Sequence, residues 1–238
     1  VKQNMAQYHK VSIIIPVYNE LATLETLLNQ VQMADTLGLE KEIILVDDKS
    51  TDGTAEFIKR MDAGNIKTFV HGENQGKGGA LHTGFRQATG DIIVIQDADL
   101  EYDPAEIRNV LKPFIESQAQ VVYGSRYLNP SQGLGFWHST FNKMFTRFGN
   151  LLLGQKITDL MTCYKAFTRE ALNTFVHSLE SKRFGFEPEV TAKIANAGIK
   201  IIEVPISYRP RTVVEGKHMN FKGQVESLAA LVKYSVWK

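Results

Sequence analysis

The chain has little cysteine and little net charge, and each scarcity excludes something. Cys163 is the only cysteine among 238 residues, so no internal disulfide can form and a reducing compartment is expected. With 27 Lys and Arg against 26 Asp and Glu, the formal charge is +1. That leaves no basic footprint for a phosphate backbone, so nucleic acid is excluded as a partner. No apolar run approaches the roughly 20 residues of a membrane span. The polar start VKQNMAQYHK does not read as a signal peptide. A cytoplasmic protein follows, with attachment to the cytoplasmic face of a membrane left open. Repeats, low-complexity tracts and a Pro/Gly-rich linker are also missing, so residues 1–238 are expected to form one domain.

What is present is organised around GDIIVIQDADLEYDP, residues 90–104. Ile92 to Ile95 is too short for a buried helix and reads as a central strand covered on both faces. It ends in Asp97-Ala98-Asp99. On an extended chain these two carboxylates point to the same side. Like charges about 4 Å apart repel by roughly 4 kcal/mol at an effective dielectric of about 20, so the pair calls for a cation. Oxygen ligands favour Mg²⁺ or Mn²⁺, whose shell is completed by water and substrate phosphates. The plain alternative is a solvated turn.

Val11 to Val17 and Glu42 to Val46 repeat the strand pattern, and each leads through a polar turn into a helix. The first helix carries Leu21, Leu24, Leu27, Leu28 and Val31; the second carries Ala55, Phe57, Ile58 and Met61 and can be capped by Ser50, Thr51 or Asp52. Strand, turn, helix twice over means βαβ units and a parallel sheet, which binds ligands beyond the carboxyl ends of its strands. Glu20, Asp48 and the Asp97/Asp99 pair converge there. Lys67 to His71 is a further strand, followed by Asn74-Gln75-Gly76-Lys77-Gly78-Gly79. Its glycines suit close approach to a ligand, though no P-loop pattern is completed. A helix from Pro104 to Glu116 and a strand from Gln120 to Tyr123 lead into Gly124-Ser125-Arg126-Tyr127.

The second half differs. Phe136 to Leu153 places Phe141, Met144, Phe145, Phe148, Leu151 and Leu152 on one helical face, with Lys143 and Arg147 on another. That helix faces either the core or a membrane interface. Thr158–Leu172 and Phe184–Ala197 follow, then a strand from Ile199 to Val204. A basic stretch of Arg209, Arg211, Lys217 and His218 precedes a terminal helix, Phe221 to Trp237.

Taken in order, SIIIPVYNE, ILVDDKSTDGT, NQGKGGAL, QDADL and YGSRY resemble the motif series of family-two inverting glycosyltransferases. TDLMTCYKAFTREAL, FGFEPEV and EVPISYRPRTVVEGK extend the resemblance to dolichol- and polyprenyl-phosphate sugar synthases, from about Ser12 to beyond Lys217. The resemblance implies an α/β GT-A fold: a Rossmann-like, mostly parallel sheet flanked by helices, with C-terminal helical elements. Residues of about 1–127 would bind a nucleotide-sugar donor, UDP- or GDP-linked, and about 128–238 a polyprenyl or dolichyl phosphate at the membrane surface. By the same resemblance Pro16, Tyr18, Glu20, Asp48, Lys77 and Asp97 hold the nucleotide. Asp97, Asp99 and Glu101 would bind Mg²⁺ or Mn²⁺. Asp97, Asp99, Arg126, Arg211 and Lys217 would serve catalysis, with Arg126 on a phosphate. His138, Asn142, Asp159, Glu187 and Glu189 lie on the acceptor side. His138 and Asn142 replace an Arg and a Ser of the mannose synthase pattern, which alters the phosphate grip. A homo-oligomer is compatible with this reading.

An acceptor phosphate, with a second pKa of about 6, is already anionic at neutral pH and needs no base. A hydroxyl acceptor does need one, and Glu187 or Glu189 would supply it; their plainer role is first-turn helix charge. A non-catalytic nucleotide-sugar binding module is the remaining alternative. A phosphohydrolase is disfavoured because its Asp-x-Asp should follow the first strand. A pyrophosphorylase is disfavoured because PVYNE stands where its Gly-rich loop belongs.

Overall fold

The computed structural model describes residues 8–129, 136–211 and 221–236, without the side chains of 136–139, 221, 222 and 236. In chain order the first half comprises β1 (Lys10–Val17), α1 (Leu21–Met33), β2 (Glu40–Asp47), α2 (Thr54–Lys59), β3 (Ile66–Val70), α3 (Lys77–Gln87) and β4 (Ile92–Ile95). A 3₁₀ turn at Pro104–Glu106 opens α4 (Ile107–Ser117), which accommodates Pro113. Then come β5 (Val121–Ser125), α5 (Phe136–Leu153), β6 (Lys165–Thr168), α6 (Arg169–Asn173), α7 (Phe186–Asn196), β7 (Ile201–Pro205) and α8 (Phe221–Val236).

The seven strands form one sheet in the order β3-β2-β1-β4-β6-β5-β7. Ile14 aligns with Ile44 on one side and Ile95 on the other, all in parallel. The expected mostly parallel sheet is therefore present. Its one departure is β6, which runs antiparallel between β4 and β5 within Thr158–Leu172, where no strand was expected.

The apolar runs alternate between two cores. Ile13, Ile15, Ile43, Leu45, Ile92 and Val94 face Leu24, Leu27 and Val31 of α1 and Val110 and Phe114 of α4. Ile14, Ile44, Val46, Ile93 and Ile95 face Leu81 and Phe85 of α3 and Phe186, Val190 and Ile194 of α7. Both faces are covered, which is why these strands read as unbroken apolar runs. Gly84 lets α3 lie directly on Ile14, where a Cβ would collide.

Helix α5 departs from the expected single apolar face. Phe145 turns into the core and Gly149 packs on Leu160, leaving Met144, Phe148, Leu151 and Leu152 exposed. Val225, Leu228 and Val232 are likewise exposed on α8, which α5 contacts. No helix among the described residues is long and apolar enough to cross a membrane.

At the end of the sheet opposite the acidic motif, the buried carboxylate of Glu42 ties four segments together. It accepts bonds from Ser12 Oγ (2.5 Å), Thr89 N–H (2.8 Å), Thr89 Oγ (2.8 Å) and Lys67 Nζ (2.8 Å). Burial alone would raise its pKa, but these donors lower it from an ordinary 4.5 to about 2. The stabilisation is complete above about pH 4.5 and is lost as pH falls through about 2. Glu42→Gln is expected to cost about 2 kcal/mol near neutrality. The penalty should shrink toward pH 2, as read by urea denaturation at the two pH values. A pH-independent penalty would contradict the ionic role.

Candidate active site

The carboxyl ends of β1, β2, β4 and β5 open onto a cleft of about 810 Å³, where parallel sheets leave their ligand crevices. Because β6 runs the other way, its approach at residues 160–164 reaches this edge and adds Met161 and Cys163 to the lining. Pro16, Tyr18, Glu20, Asp48, Lys77, Asp97, Asp99, Glu101, Arg126, Asn142, Glu187 and Arg211 line the same cleft. Lys217, and the side chain of His138, fall outside the described residues.

The acidic side is more compensated than its sequence suggests. β4 stops at Ile95 and the chain turns through Asp97–Leu100, with Leu100 at φ 58°, so the carboxylates sit on a turn rather than an extended strand. Lys77 Nζ, at the start of α3, lies 2.7 Å from Asp97 Oδ1 and 3.6 Å from Glu187 Oε1. Burial would lower the Lys77 pKa, but Asp97 and Glu187 hold it well above the ordinary value. Arg211 Nη2 donates to Asp99 Oδ2 (2.8 Å) and Nη1 to Glu20 Oε1 (2.9 Å).

Glu101 departs from its expected place as a third metal ligand. Its carboxylate accepts from Tyr208 Oη (2.9 Å) and from the Arg211 N–H (2.8 Å), and its carbonyl accepts from the Arg209 N–H. Among the described residues no three His, Cys, Asp or Glu side chains gather as a cation cage. Asp97 and Asp99 nevertheless suit a divalent ion, because Mg²⁺ is commonly held by one or two carboxylates plus substrate phosphates. Burial first, then the charges of Asp97 and Glu101, push the Asp99 pKa up to about 7 despite Arg211. A carboxylate this reluctant to ionise beside another has room for more positive charge.

Across the cleft, Arg126 is pinned by Asp159. Nε donates to Oδ2 (2.7 Å), Nη2 to Oδ1 (2.8 Å), and the Arg126 N–H to Oδ2 (3.1 Å). Burial would lower the Arg126 pKa, but Asp159 raises it well above its ordinary value, so the guanidinium stays charged. Its Cζ lies 5.1 Å from the centre of the Tyr208 ring. Asp159 is fully buried, so it orients Arg126 instead of meeting an acceptor. Glu189 is equally sealed and accepts from the N–H groups of Glu180 and Ser181. Of the two candidate bases, only Glu187 reaches the cleft.

The glycine loop serves the protein's own backbone. A Cβ at Gly76 (φ 87°) would sit 2.5 Å from the Lys182 carbonyl oxygen, and one at Gly78 would strike that of Ser181. Gly76 and Lys77 still line the cleft, but the glycines are needed for the 181–183 segment to pack. Asp48 has a similar scaffolding duty: it accepts from the N–H groups of Gln75 (2.8 Å) and Gly76 (2.6 Å) and meets His71 Nδ1 (2.8 Å). Tyr208, Cys163 and Arg183 line the cleft without having been singled out as site residues. Tyr208 and Cys163 fall inside the recognised motifs EVPISYRPRTVVEGK and TDLMTCYKAFTREAL, which was the available signal.

The sheet order, with its single reversed strand and its cleft beyond β1, β2, β4 and β5, defines a GT-A fold. The chain belongs to glycosyl transferase family 2, whose profile matches residues 12–175, and it is a glycosyltransferase. It is 32% identical over 218 residues to an undecaprenyl-phosphate mannosyltransferase of Micrococcus luteus, covering 87% of each chain. It is 29% identical over 234 residues to a dolichol-phosphate mannosyltransferase of Pyrococcus furiosus, covering 96% of this chain but 64% of that one. Among solved structures, glucosyl-3-phosphoglycerate synthase of Mycobacterium tuberculosis in complex with Mn²⁺, UDP and glucosyl-3-phosphoglycerate superposes with a TM-score of 0.69. That match is 19% identical and covers 96% of this chain and 80% of the other.

The raised Asp99 pKa has a consequence for metal binding. A proton and a divalent ion compete for the same oxygens, so Mn²⁺ affinity should fall by up to about tenfold per pH unit below the Asp99 value. A Mn²⁺ titration in the presence of nucleotide between pH 5 and pH 8 should show affinity flattening above about 7. Affinity flat across the whole range would remove Asp99 from the ligand set.

Proposed function

We propose that this glycosyltransferase moves a hexose from a UDP- or GDP-linked sugar to a polyprenyl phosphate at a membrane surface, with inversion at the anomeric carbon. The observation that carries the reading is the pairing, in one cleft, of Asp97 and Asp99 with the pinned Arg126. One side suits a diphosphate bridged through Mg²⁺ or Mn²⁺; the other suits a second anion. The similarity to undecaprenyl- and dolichol-phosphate mannosyltransferases supports a lipid phosphate as that anion and favours mannose as the sugar.

A bound divalent ion would stabilise the charge that develops on the departing diphosphate. Lys77 and Arg211 flank the same carboxylates and add preorganised positive charge. Arg126 would hold the acceptor phosphate by paired N–H donors, in an orientation fixed by Asp159 before substrate arrives. The phosphate attacks as an anion, so no side chain has to remove a proton. A hydroxyl acceptor would rest on Glu187 alone, since Glu189 is sealed.

The apolar side chains Met144, Phe148 and Leu151 of α5 and Val225, Leu228 and Val232 of α8 would dip into the lipid surface. Phe141 and Asn142 of α5 and Gln224 of α8 line the cleft, so this face lies beside its mouth. Exposed Lys143 and Arg147 would meet anionic headgroups.

Arg126→Ala should lower transfer to polyprenyl phosphate at least about tenfold, equivalent to ~1.4 kcal/mol of barrier. Wild-type rates would place Arg126 outside the site. Flotation with anionic liposomes should carry the protein upward, less so in high salt and less so for a Phe148→Asp/Leu151→Asp double variant. No flotation under any condition, together with equal transfer to a soluble hydroxyl acceptor, would overturn the lipid-phosphate reading in favour of Glu187 as base.

A further inference from the structure

Arg211 sits on the carboxylate that a metal would need. Its guanidinium spans Asp99 and Glu20, at 2.8 Å and 2.9 Å. The segment carrying it is fastened to Glu101 through Tyr208 Oη, the Arg211 N–H and the Arg209 N–H. Seating is incomplete: Arg211 Nε is buried with no hydrogen-bond partner among the described residues, and Glu101 Oε1 stands 3.9 Å away. An unmade bond on a buried donor is costly, so this is a donor held in reserve for an acceptor still to come.

We propose that Arg211 is the resident counter-ion of Asp99, that the divalent ion entering with the donor displaces it, and that the freed guanidinium then binds the phosphate oxygens brought in by the same donor. The inference rests on the metal-diphosphate reading of Asp97 and Asp99. It makes the metal and Arg211 rivals for one carboxylate. A metal alone must move the guanidinium off Asp99 with no new partner beyond Glu20, which it already holds, and Glu101 at 3.9 Å, whereas a metal arriving with a diphosphate supplies a further anion. Metal and nucleotide therefore bind synergistically, and Arg211 is the source of that coupling.

The test is a Mn²⁺ titration followed by electron paramagnetic resonance of the free ion, without nucleotide and with GDP or UDP. Arg211→Gln should tighten binding of Mn²⁺ alone by about five- to tenfold and reduce the gain that nucleotide gives by a similar factor. Arg211→Lys, a point charge that cannot span both carboxylates, should fall between wild type and Gln. Arg209→Gln, which removes an exposed charge two residues away, should leave both affinities near wild type. Equal effects from Arg209→Gln and Arg211→Gln would reduce the result to a general field and overturn the exchange. Unchanged binding of Mn²⁺ alone in Arg211→Gln and Arg211→Lys, with nucleotide-assisted binding intact, would also overturn it while leaving the metal-diphosphate reading standing. Absence of Mn²⁺ binding in every protein, even with nucleotide, would remove both.

Discussion

Crowding of negative charge at one edge of the sheet is the constraint on which the rest of the site depends. Glu20, Asp97, Asp99 and Glu101 arrive there from the ends of β1 and β4 and are only partly exposed. Left alone they would repel strongly, since a few ångströms between like charges at a moderate dielectric costs several kcal/mol. The fold answers with Lys77 from the start of α3 and Arg211 from the segment after β7. Those two cations offset only part of the charge of the four carboxylates, in keeping with the raised pKa of Asp99. The opposite wall is built differently: Arg126 has its own buried carboxylate, Asp159, and keeps its charge and orientation independently of what the acidic side holds.

Topology explains why the two walls face each other. β4 delivers Asp97 and Asp99, and β5 delivers Arg126, with β6 between them. A third parallel strand would have sent its own carboxyl end to the cleft. The reversed β6 instead brings its approach, residues 160–164, and seats the buried Lys165 beneath it, where the ammonium donates to the carbonyls of Leu160 and Thr162. Asp159 immediately precedes that segment, so one chain reversal supplies both the cleft floor and the residue that aims Arg126.

Much of this was legible in the sequence because its signals are local. Unbroken apolar runs marked β1, β2 and β4, whose two faces are both covered, and Asp97-Ala98-Asp99 marked the edge that matters. Contacts between residues far apart in the chain were not legible. β6 has four residues, and only its pairing with β4 and β5 makes it a strand. Glu101 looked like a metal ligand because nothing near it in the chain reveals that Tyr208 and Arg211 take its oxygens. Glu187 and Glu189 share one helical turn, and no spacing rule tells which faces the cleft and which closes the 180–181 turn. The glycines after Asn74 correctly signalled a close approach, but the approaching group is the backbone at 181–182. On α5 the apolar period was legible but its direction stayed open between core and membrane interface, and Phe145 and Phe148 in fact point to different surroundings.

The proposed reaction joins a sugar to a phosphate and not to a hydroxyl. Phosphorus-31 NMR of vesicles containing a polyprenyl phosphate, incubated with enzyme, Mg²⁺ and a nucleotide sugar, tests it directly. Under the proposed reaction the phosphate monoester resonance is replaced by that of a phosphodiester, in step with release of the nucleoside diphosphate. Consumption of the donor with the lipid monoester resonance unchanged would contradict it.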